Sequence, residues 1–478
     1  MKVRAPASLV SCAALALAAC GGGDAGGPQA SPPAPPPANR APVAIARQDV
    51  LVPAGESFTV DATLGGQRLT DPDGDPLTWR VRVRGDHAVA IHGTQLSGTL
   101  NGSAVEVTLE GTDPRGASAQ TVFMLAAPAE AEGEPALPAT PYPYKDESLP
   151  LPDDYVMSSQ FRVPLWDAQP AGNRTTDAGA ALGRVLFHDV RLSITNTVAC
   201  ASCHQREHGF ASAQRFNTGV IGVPLARNAM ALGNARYNIH VAWFSDLRVS
   251  SIQDVARQAL TSPEEMGHTL PAVVAKLQAT AFYAPLFEAA FGTAEITEDR
   301  LLRALEQYVQ ALIAYRTKYD EACDAVGGVP RDCDAGLDAQ EARGRFIFEN
   351  GGDGQVACVQ CHALPAGANI WLANNGLDAA VTDAGVGNGR FRPASLYNIA
   401  RTAPYMHDGR FATLREVIEH YDHGIQDNPD LDTLLRDGAG RVRRMNLSEP
   451  DKDALEAFLR TLTDEPMLAD PKFANPFE

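Results

Sequence analysis

The sequence lacks two features that would place it in common functional classes. After its N-terminal segment it has no apolar stretch of the roughly 20 residues that a membrane-spanning helix needs, and it has no cluster of basic residues. Its 40 basic and 58 acidic residues give a formal net charge of −18, which argues against a nucleic-acid partner because phosphates repel an acidic surface. The length of 478 residues allows two or three domains.

The N-terminus has the composition of an export signal. Lys2 and Arg4 precede an apolar stretch from Leu9 to Ala19, so we predict a signal peptide over residues 1–19. The stretch ends in Leu-Ala-Ala-Cys, which resembles a bacterial lipobox with Cys20 as the lipidated residue. An ordinary signal peptide with an incidental cysteine is the alternative. The predicted location is periplasmic, with contact to a bacterial membrane through the lipid anchor alone.

Cysteine is scarce, with eight in the chain, and four of them lie in two Cys-x-x-Cys-His pentapeptides at 200–204 and 358–362. This spacing is the attachment signature of c-type haem, in which the thiols add to the haem vinyl groups and the histidine ligates iron. A zinc site or a redox pair is the alternative, but zinc needs four ligands close together. The sequence predicts two covalent haems, held by Cys200, Cys203, His204, Cys358, Cys361 and His362.

Two further cysteines, Cys323 and Cys333, flank a short loop that contains glycine and proline. In the oxidising space outside the cytoplasm they are expected to form a disulfide. Closing a loop this short contributes about 2–3 kcal/mol in the chain-entropy model. We predict a structural role for this pair.

Composition and periodicity divide the first part of the chain. Residues 20–41 are rich in Gly, Pro and Ala and predict a disordered tether. Residues 42–127 contain segments of period-two alternation at 79–83 and 105–109, and they resemble a cadherin-like or immunoglobulin-like β-sandwich. An Asp-rich turn at 71–75 offers carboxylates to calcium, or is an acidic turn without an ion.

From about residue 150 the pattern is helical. Apolar residues at 3–4 spacing predict a long helix over 301–313, and Ser448 is predicted to cap another helix. Leu-Gly-Arg-Val-Leu-Phe precedes the first haem motif and Arg-Gly-Arg-Phe-Ile-Phe precedes the second, which predicts two related cytochrome c-like haem domains in tandem. We therefore expect a mainly α fold behind the β-sandwich, with a linker at 128–150 and haem domains at 151–325 and 326–478.

Longer motifs around both haem sites resemble one family. They read LGRVLFHDVRLS…CASCH, RNAMALGNARYN, SPEEMG and FRPASLYNIARTAPYMHDGRFATLREVIEHY. Over about 155–465 the chain is similar to the bacterial di-haem cytochrome c peroxidases, including the MauG branch. The resemblance implies a peroxidatic N-terminal haem with His204 as proximal ligand and an electron-transfer C-terminal haem with His362. It also implies that Glu265 is the distal acid–base catalyst.

Two positions place the chain within that family. Members that need reductive activation carry a distal histidine in the segment that corresponds to 219–228, and this segment has none, so the peroxidatic haem is expected to be open as isolated. The sixth ligand of the second haem stands fourteen positions after His407 in the family, which gives Tyr421 here. Tyr421 is typical of MauG-type members, whereas Met ligates in other peroxidases. Met406 is the alternative ligand, and a second haem with neither is the third possibility.

The inter-haem tryptophan of the family is matched less clearly. Counting forward from Asn228 gives Trp243, while counting back from Glu265 gives Ser245. A two-residue insertion reconciles the counts, and we favour Trp243. The resemblance further implies a calcium ion between the haem domains, with the ligands Asn228, Thr402 and Pro404.

The resemblance implies three candidate functions. The leading one is an oxidoreductase that reduces hydrogen peroxide to water with electrons from a small cytochrome c or cupredoxin. The second is a MauG-like enzyme that oxidises residues of a partner protein through both haems. The third is an electron-transfer cytochrome without catalysis, and a homodimer is left open in each case.

Overall fold

The computed structural model describes residues 38–131, 133–145, 167–237, 242–324, 330–351, 356–364 and 372–478. The expected signal peptide, Cys20 and nearly all of the expected tether lie outside the described residues. So does the start of the first expected haem domain. The described chain forms an N-terminal β unit (43–127) followed by a helical unit (177–473). Within these ranges no single helix is long and apolar enough to cross a membrane. The helices Leu270–Gln278 and Tyr283–Phe291 are long and apolar enough when taken together, but they meet at an angle of 107°.

The β unit consists of nine strands. They are β1 Val43–Ala44, β2 Val50–Leu51, β3 Ser57–Asp61, β4 Leu69–Thr70, β5 Thr78–Arg84, β6 Val89–His92, β7 Gln95–Thr99, β8 Ser103–Thr112 and β9 Ser118–Ala127. One sheet has the order β2-β9-β8-β5 and another has the order β3-β7-β6, while β1 pairs with β4. The strands predicted at 79–83 and 105–109 are confirmed within β5 and β8.

The two larger sheets of the β unit share one apolar core. Phe58 and Leu96 from the three-stranded sheet pack with Val107 and Leu125 from the four-stranded sheet. Side chains alternate along each strand, so only one face of a sheet contributes to this core. The arrangement is a small β-sandwich.

Arginine side chains pair with two of the three aspartates in the Asp-rich turn of the β unit. Arg40 pairs with Asp73 at 2.8 Å, and Arg115 pairs with Asp75 at 2.8 Å. Oxygen atoms of Asp71, Asp73 and Asp75 lie within 4.8 Å of one another, as the ligands of a metal ion would. The calcium site and the acidic turn without an ion both stay predictions.

The helical unit contains eleven helices within the described residues. They are α1 Asp177–His188, α2 Cys200–Cys203, α3 Ile252–Thr261, α4 Leu270–Gln278, α5 Tyr283–Phe291, α6 Glu298–Gln310, α7 Lys318–Asp324, α8 Ala339–Asn350, α9 Leu414–Glu419, α10 Glu449–Arg460 and α11 Glu465–Ala469. The helix predicted over 301–313 is confirmed as α6, which begins three residues earlier, at Glu298 after the N-cap Thr297, and ends three residues earlier, at Gln310. Ser448 caps α10 as predicted, since its side chain accepts a hydrogen bond from the Asp451 backbone N–H.

The repeated Gly-Arg motif has the same structural role in both halves of the helical unit, of which the first half is 177–324 and the second half is 330–473. Gly183 in α1 lies against α6, where a Cβ would come within 2.1 Å of the Ala304 carbonyl oxygen. Gly344 in α8 lies against α10, where a Cβ would come within 1.9 Å of the Ala454 carbonyl oxygen. Each glycine allows two helices to cross in direct backbone contact, so the internal echo in the sequence corresponds to a repeated helix crossing.

The two halves of the helical unit nevertheless share one hydrophobic core. Phe473, near the C-terminus, packs against Phe210 and Tyr308 of the first half, with ring centroids 6.1 and 6.4 Å apart. The carbonyl of Ala474 accepts a hydrogen bond from Arg184 Nε at 2.7 Å. Residues 472–476 therefore complete the first half.

The described residues 133–145, which follow the β unit, contact the helical unit at two points. Tyr144 is 1% exposed and donates a hydrogen bond to the Lys472 carbonyl at 2.6 Å. Ala136 N–H donates to the Pro476 carbonyl at 2.6 Å. The described part of the expected linker is thus mostly exposed and is anchored to the helical unit through Ala136 and Tyr144. Elsewhere in the helical unit, Cys323 is joined to Cys333 by a disulfide.

Candidate active site

Both Cys-x-x-Cys-His motifs open into a single cavity of about 860 Å³. Apolar side chains dominate its walls. The cavity brings together the site residues predicted from the sequence, namely Cys200, Cys203, His204, Asn228, Trp243, Glu265, Cys358, Cys361, His362, Thr402, Pro404, Met406 and Tyr421. Residues from α2, α3, α6, α8, α9 and α10 line it, so the cavity depends on the helix crossings of both halves.

The thiols of both motifs are free to react. Cys200, Cys203, Cys358 and Cys361 are half-buried and carry no disulfide among the described residues. Burial raises the pKa of Cys200 and Cys358 to about 12. A raised pKa keeps these two sulfurs as neutral thiols before any haem is attached. The four side chains fit covalent attachment to a haem.

The histidine of each motif is oriented for an axial bond. His204 Nδ1 lies 3.0 Å from the Phe210 carbonyl, and His362 Nδ1 lies 2.9 Å from the Ala394 carbonyl. A carbonyl can only accept, so Nδ1 carries the proton in both rings and Nε2 keeps its lone pair. Burial lowers the pKa of His204 and His362, which favours the neutral ring that binds a metal. Both residues fit the role of iron ligand.

Arg392 provides an independent test of fit. Its guanidinium lines the cavity, and its Nε is buried without a hydrogen-bond partner among the described residues. Burial lowers the pKa of Arg392 to about 10. A buried guanidinium is costly unless an anion accompanies it. A haem carries two carboxylates, so a bound haem would supply the missing partner of Arg392.

Glu265 lies on the wall of the same cavity as His204. Burial raises the pKa of its carboxyl group, and the neighbouring Glu264 adds to this increase while Arg248 opposes it. Its backbone is fixed by hydrogen bonds from Glu265 N–H to the Ser262 carbonyl and from Val220 N–H to the Glu265 carbonyl. The site therefore holds a protonatable carboxyl group on a rigid turn, as acid–base chemistry requires.

The segment after the first motif lies directly against this turn. A Cβ on Gly219 would come within 2.2 Å of the Glu265 carbonyl oxygen, so residues 219–222 are in close contact with the Glu265 backbone. These residues carry no side chain that ligates iron. Residues 219–222, next to Glu265, thus offer no histidine that could bind the iron in place of peroxide.

Trp243 sits where the two halves meet. It is 8% exposed and lines the cavity, and the Ser245 carbonyl accepts a hydrogen bond from Arg392 N–H at 2.9 Å. Arg227 pairs with Asp246 at 2.5 Å and with Asp383 at 2.7 Å, which ties the same segment to the second half. Trp243 and Ser245 both reach the cavity, so the two counts made from the sequence lead to neighbouring positions of one segment.

Both predicted sixth ligands contact the same amide. Asn375 Nδ2 lies 3.4 Å from the Tyr421 hydroxyl oxygen and 3.5 Å from the Met406 sulfur. Tyr421 lies in a π-helical turn, His420–Gly424, directly after α9. Burial raises the pKa of Tyr421 to about 12. The structure places both side chains at the second motif and leaves the choice between them open.

The residues expected to hold calcium lie on the cavity wall. Asn228, Thr402 and Pro404 all line it. The Asn228 amide nitrogen donates to the Gln214 carbonyl at 3.0 Å, and its backbone N–H donates to the His407 carbonyl at 2.8 Å. This fixes the side chain between the two halves.

Asn375 and Arg392 were not identified from the sequence. Arg392 lies within the motif FRPASLYN, and an arginine in a stretch of otherwise apolar and small residues is a usable signal for a buried anion. Asn375 follows another asparagine in a loop, and no local pattern distinguishes it.

Comparison with known proteins agrees with this geometry. The family model for di-haem cytochrome c peroxidase matches residues 177–325. MauG, a methylamine utilization protein of Methylorubrum extorquens strain AM1, is 30% identical over 323 residues, which cover 65% of this chain and 85% of that protein. The cytochrome c551 peroxidase of Nitrosomonas europaea is 28% identical over 306 residues, covering 60% and 80%. A solved MauG-like protein associated with microbial copper homeostasis is 28% identical with a TM-score of 0.56, covering 65% and 97%.

Proposed function

The chain belongs to the family of di-haem cytochrome c peroxidases and MauG proteins, and on that premise we propose that it reduces hydrogen peroxide to water with electrons from a small redox protein. The observation that carries the proposal is the part of the cavity wall that Glu265 forms, in the same cavity that His204 lines. There Glu265 faces the cavity with a raised pKa, beside a segment that has no histidine.

The proposed division of labour follows from the residues at each motif. His204 and His362 hold the two irons, and the haems supply the redox chemistry when bound. Glu265 accepts a proton from one oxygen of hydrogen peroxide and returns it to the oxygen that leaves as water. Two electrons and two further protons complete the reduction of one peroxide to two waters.

We assign the electron path to the interface between the halves. A small cytochrome c or cupredoxin would supply the electrons, His362 would hold the haem that receives them, and Trp243 would serve the transfer to the haem that His204 would hold. Asn228, Thr402 and Pro404 hold a calcium ion that keeps the halves in register. The protein works in the periplasm, anchored through Cys20.

A MauG-like activity on a partner protein is the second candidate, and Tyr421 is the observation that favours it. A phenolate is a hard anionic donor that stabilises oxidised iron, whereas a methionine sulfur favours the reduced state. With Tyr421 as ligand, the second haem is suited to share an oxidising equivalent rather than to store an electron.

The spectrum and activity of the isolated protein test the proposal. We expect the diferric protein to show a high-spin five-coordinate haem and to react with peroxide at once, without reduction beforehand. Steady-state turnover is measured with a reduced cytochrome donor, with and without pre-reduction. Two low-spin haems with activity only after pre-reduction would contradict the assignment. Fast reaction with peroxide but no oxidation of any cytochrome or cupredoxin donor would favour the MauG-like candidate.

Glu265→Gln tests the acid–base role. We expect peroxide turnover to fall by roughly a hundredfold or more, which is the scale for losing such a group, while both haems remain attached. Glu207→Gln is the control, since Glu207 is an exposed carboxylate three residues after His204 and does not line the cavity. Wild-type turnover in Glu265→Gln would exclude Glu265 as the catalyst.

A further inference from the structure

One face of the β unit is buried against the helical unit. Along β9, Phe123 and Leu125 point into the β-sandwich core, while Met124 and Ala126 point the other way. Met124 and Ala126 are both 0% exposed, because Ile194, Val220 and Ile221 of the helical unit cover them. The four-stranded sheet is therefore apolar on both faces only at this end, around Ala104, Met124 and Ala126.

Backbone hydrogen bonds join the same surfaces. Ala104 N–H in β8 donates to the Val220 carbonyl at 3.1 Å, and Asp86 N–H donates to the Ile221 carbonyl at 2.8 Å. Val220 N–H in turn donates to the Glu265 carbonyl at 2.9 Å. Val220 thus links the β unit directly to the residue that faces the cavity.

The contact leaves no free space around this link. Gly267 has a φ of +67°, and a Cβ there would come within 2.8 Å of Val220 Cγ2 and 3.3 Å of Met124 Cε. A Cβ on Gly219 would clash with the carbonyls of both Glu264 and Glu265. Interfaces packed this closely have discrete arrangements and transmit displacement.

Charged groups fix the edge of the contact. Arg84 in β5 forms an ion pair with Glu264, the residue before Glu265. Arg47 donates to the Gly267 carbonyl and is itself paired with Asp49 at 2.7 Å. Asp49 also accepts from Met124 N–H at 2.8 Å, so the interface side of β9 and the turn after Glu265 are held by one network.

We propose that the β unit positions the active site, with Met124 holding residues 219–222 and, through them, the backbone of Glu265. This inference rests on the proposed function only in the role given to Glu265. Met124 is a positioning residue, because it touches the supporting segment and not the cavity.

Met124→Ala tests the proposal, with Leu125→Ala as the matched control on the other face of the same strand. Hydrogen–deuterium exchange of the holoprotein is measured for peptides that cover 219–222 and 264–267. We expect at least roughly tenfold faster exchange in both peptides for Met124→Ala, because removing the side chain opens a cavity at the contact. Leu125→Ala should accelerate exchange within β8 and β9 while changing those two peptides less than about twofold.

The second measurement is the bimolecular rate of the diferric protein with peroxide, together with the spectrum of the first haem. For Met124→Ala we expect a rate roughly tenfold lower or more, which is the scale of a misplaced catalytic group, and a changed high-spin signal. Met124→Leu should restore both. Unchanged exchange at 219–222 and 264–267 in Met124→Ala, or an equal effect from Leu125→Ala, would overturn the proposal.

A charge reversal keeps the test valid if Met124→Ala fails to fold. Arg84→Glu places a like charge beside Glu264 and should loosen the same two peptides. Arg82→Glu is its control, since Arg82 pairs with Glu110 inside the β unit. A wild-type protein that does not react with peroxide would refute the proposed function, whereas the exchange comparison would still decide the role of the β unit.

Discussion

Replacing Lys452 with methionine removes the ammonium group that three carboxylates share. Lys452 Nζ lies 2.8 Å from Glu419, 3.1 Å from Asp422 and 3.2 Å from Glu449. Asp422 directly follows Tyr421, so Lys452 ties α10 to the π-helical turn at the second haem site. The pKa of Lys452 is raised, first by Glu419 and then by Asp422, which keeps it charged.

The cost of the substitution depends on which carboxylate is stranded. The Asp422 side chain is 7% exposed, whereas the side chains of Glu419 and Glu449 are 30% and 73% exposed. Removing one partner of a fully buried pair costs about 3–5 kcal/mol. Water still reaches two of the three carboxylates, and Asp422 keeps a hydrogen bond from Leu447 N–H at 2.8 Å. We therefore expect a loss of about 2–3 kcal/mol in the free energy of unfolding.

The pH dependence of this loss follows from Asp422. Burial raises the pKa of Asp422, but hydrogen bonds from Leu447 N–H and Lys452 outweigh it, and the pKa is lowered overall. A carboxyl group with a lowered pKa contributes stability above its unfolded value of about 3.9 and loses it as the pH falls through the folded value. The difference between wild type and Lys452→Met should be largest near neutral pH and should shrink below about pH 4.

Denaturant unfolding of the holoprotein at several pH values measures this difference. Lys318→Met is the control, because Lys318 is half exposed and its pair with Glu341 at the surface is worth less than about 1 kcal/mol. Equal losses in both variants, or a Lys452→Met loss that does not change with pH, would refute the account of a buried, shared cation.

Two pairs of substitutions test the second haem site and the repeated helix crossing. If Tyr421 is the sixth ligand, Tyr421→Phe should convert a low-spin haem to high-spin and raise its reduction potential, while Met406→Leu should leave the spin state unchanged. Electron paramagnetic resonance measures the spin state and potentiometry measures the potential. The reverse pattern would assign Met406 as the ligand. Gly344→Ala should lower the free energy of unfolding by about 2 kcal/mol or more, because its Cβ would overlap the Ala454 carbonyl oxygen. Gly438→Ala is the control: a Cβ there meets nothing within 4 Å, so the free energy of unfolding should change by less than about 0.5 kcal/mol. Equal unfolding midpoints of the two variants would disprove the close crossing.

The sequence predicted the parts of the site that depend on local spacing. Each pentapeptide places two thiols and an imidazole together. In both, Nδ1 of the imidazole donates a hydrogen bond to a backbone carbonyl, which leaves Nε2 available to bind iron. The Ser448 cap and the alternation in β5 and β8 are also local signals, and each is confirmed. Local patterns of this kind are set by the period of a helix or a strand.

Contacts between distant segments could not be predicted in the same way. Asn375 meets Tyr421 and Met406 only after the chain has folded, since 46 and 31 positions separate them. The docking face of the β unit did leave a trace. Residues 122–127 are apolar without alternation, and such a strand is typical of burial on both faces. That pattern predicts a second covering surface but does not identify it as residues 194 and 220–221.

Residues 472–476 are synthesised after all the α-helices of the helical unit, the last of which ends at Ala469. Phe473 nevertheless packs against Phe210 in the core, and the Ala474 carbonyl accepts a hydrogen bond from Arg184. Because chains emerge from the N-terminus, the first half remains unfinished for nearly the whole of synthesis and export. Phe210, whose carbonyl accepts the hydrogen bond from His204 Nδ1, thus gains its last packing partner only when the C-terminal residues have been made. We expect a chain cut short near residue 470 to lose packing around the first motif, although that motif lies more than 260 positions upstream.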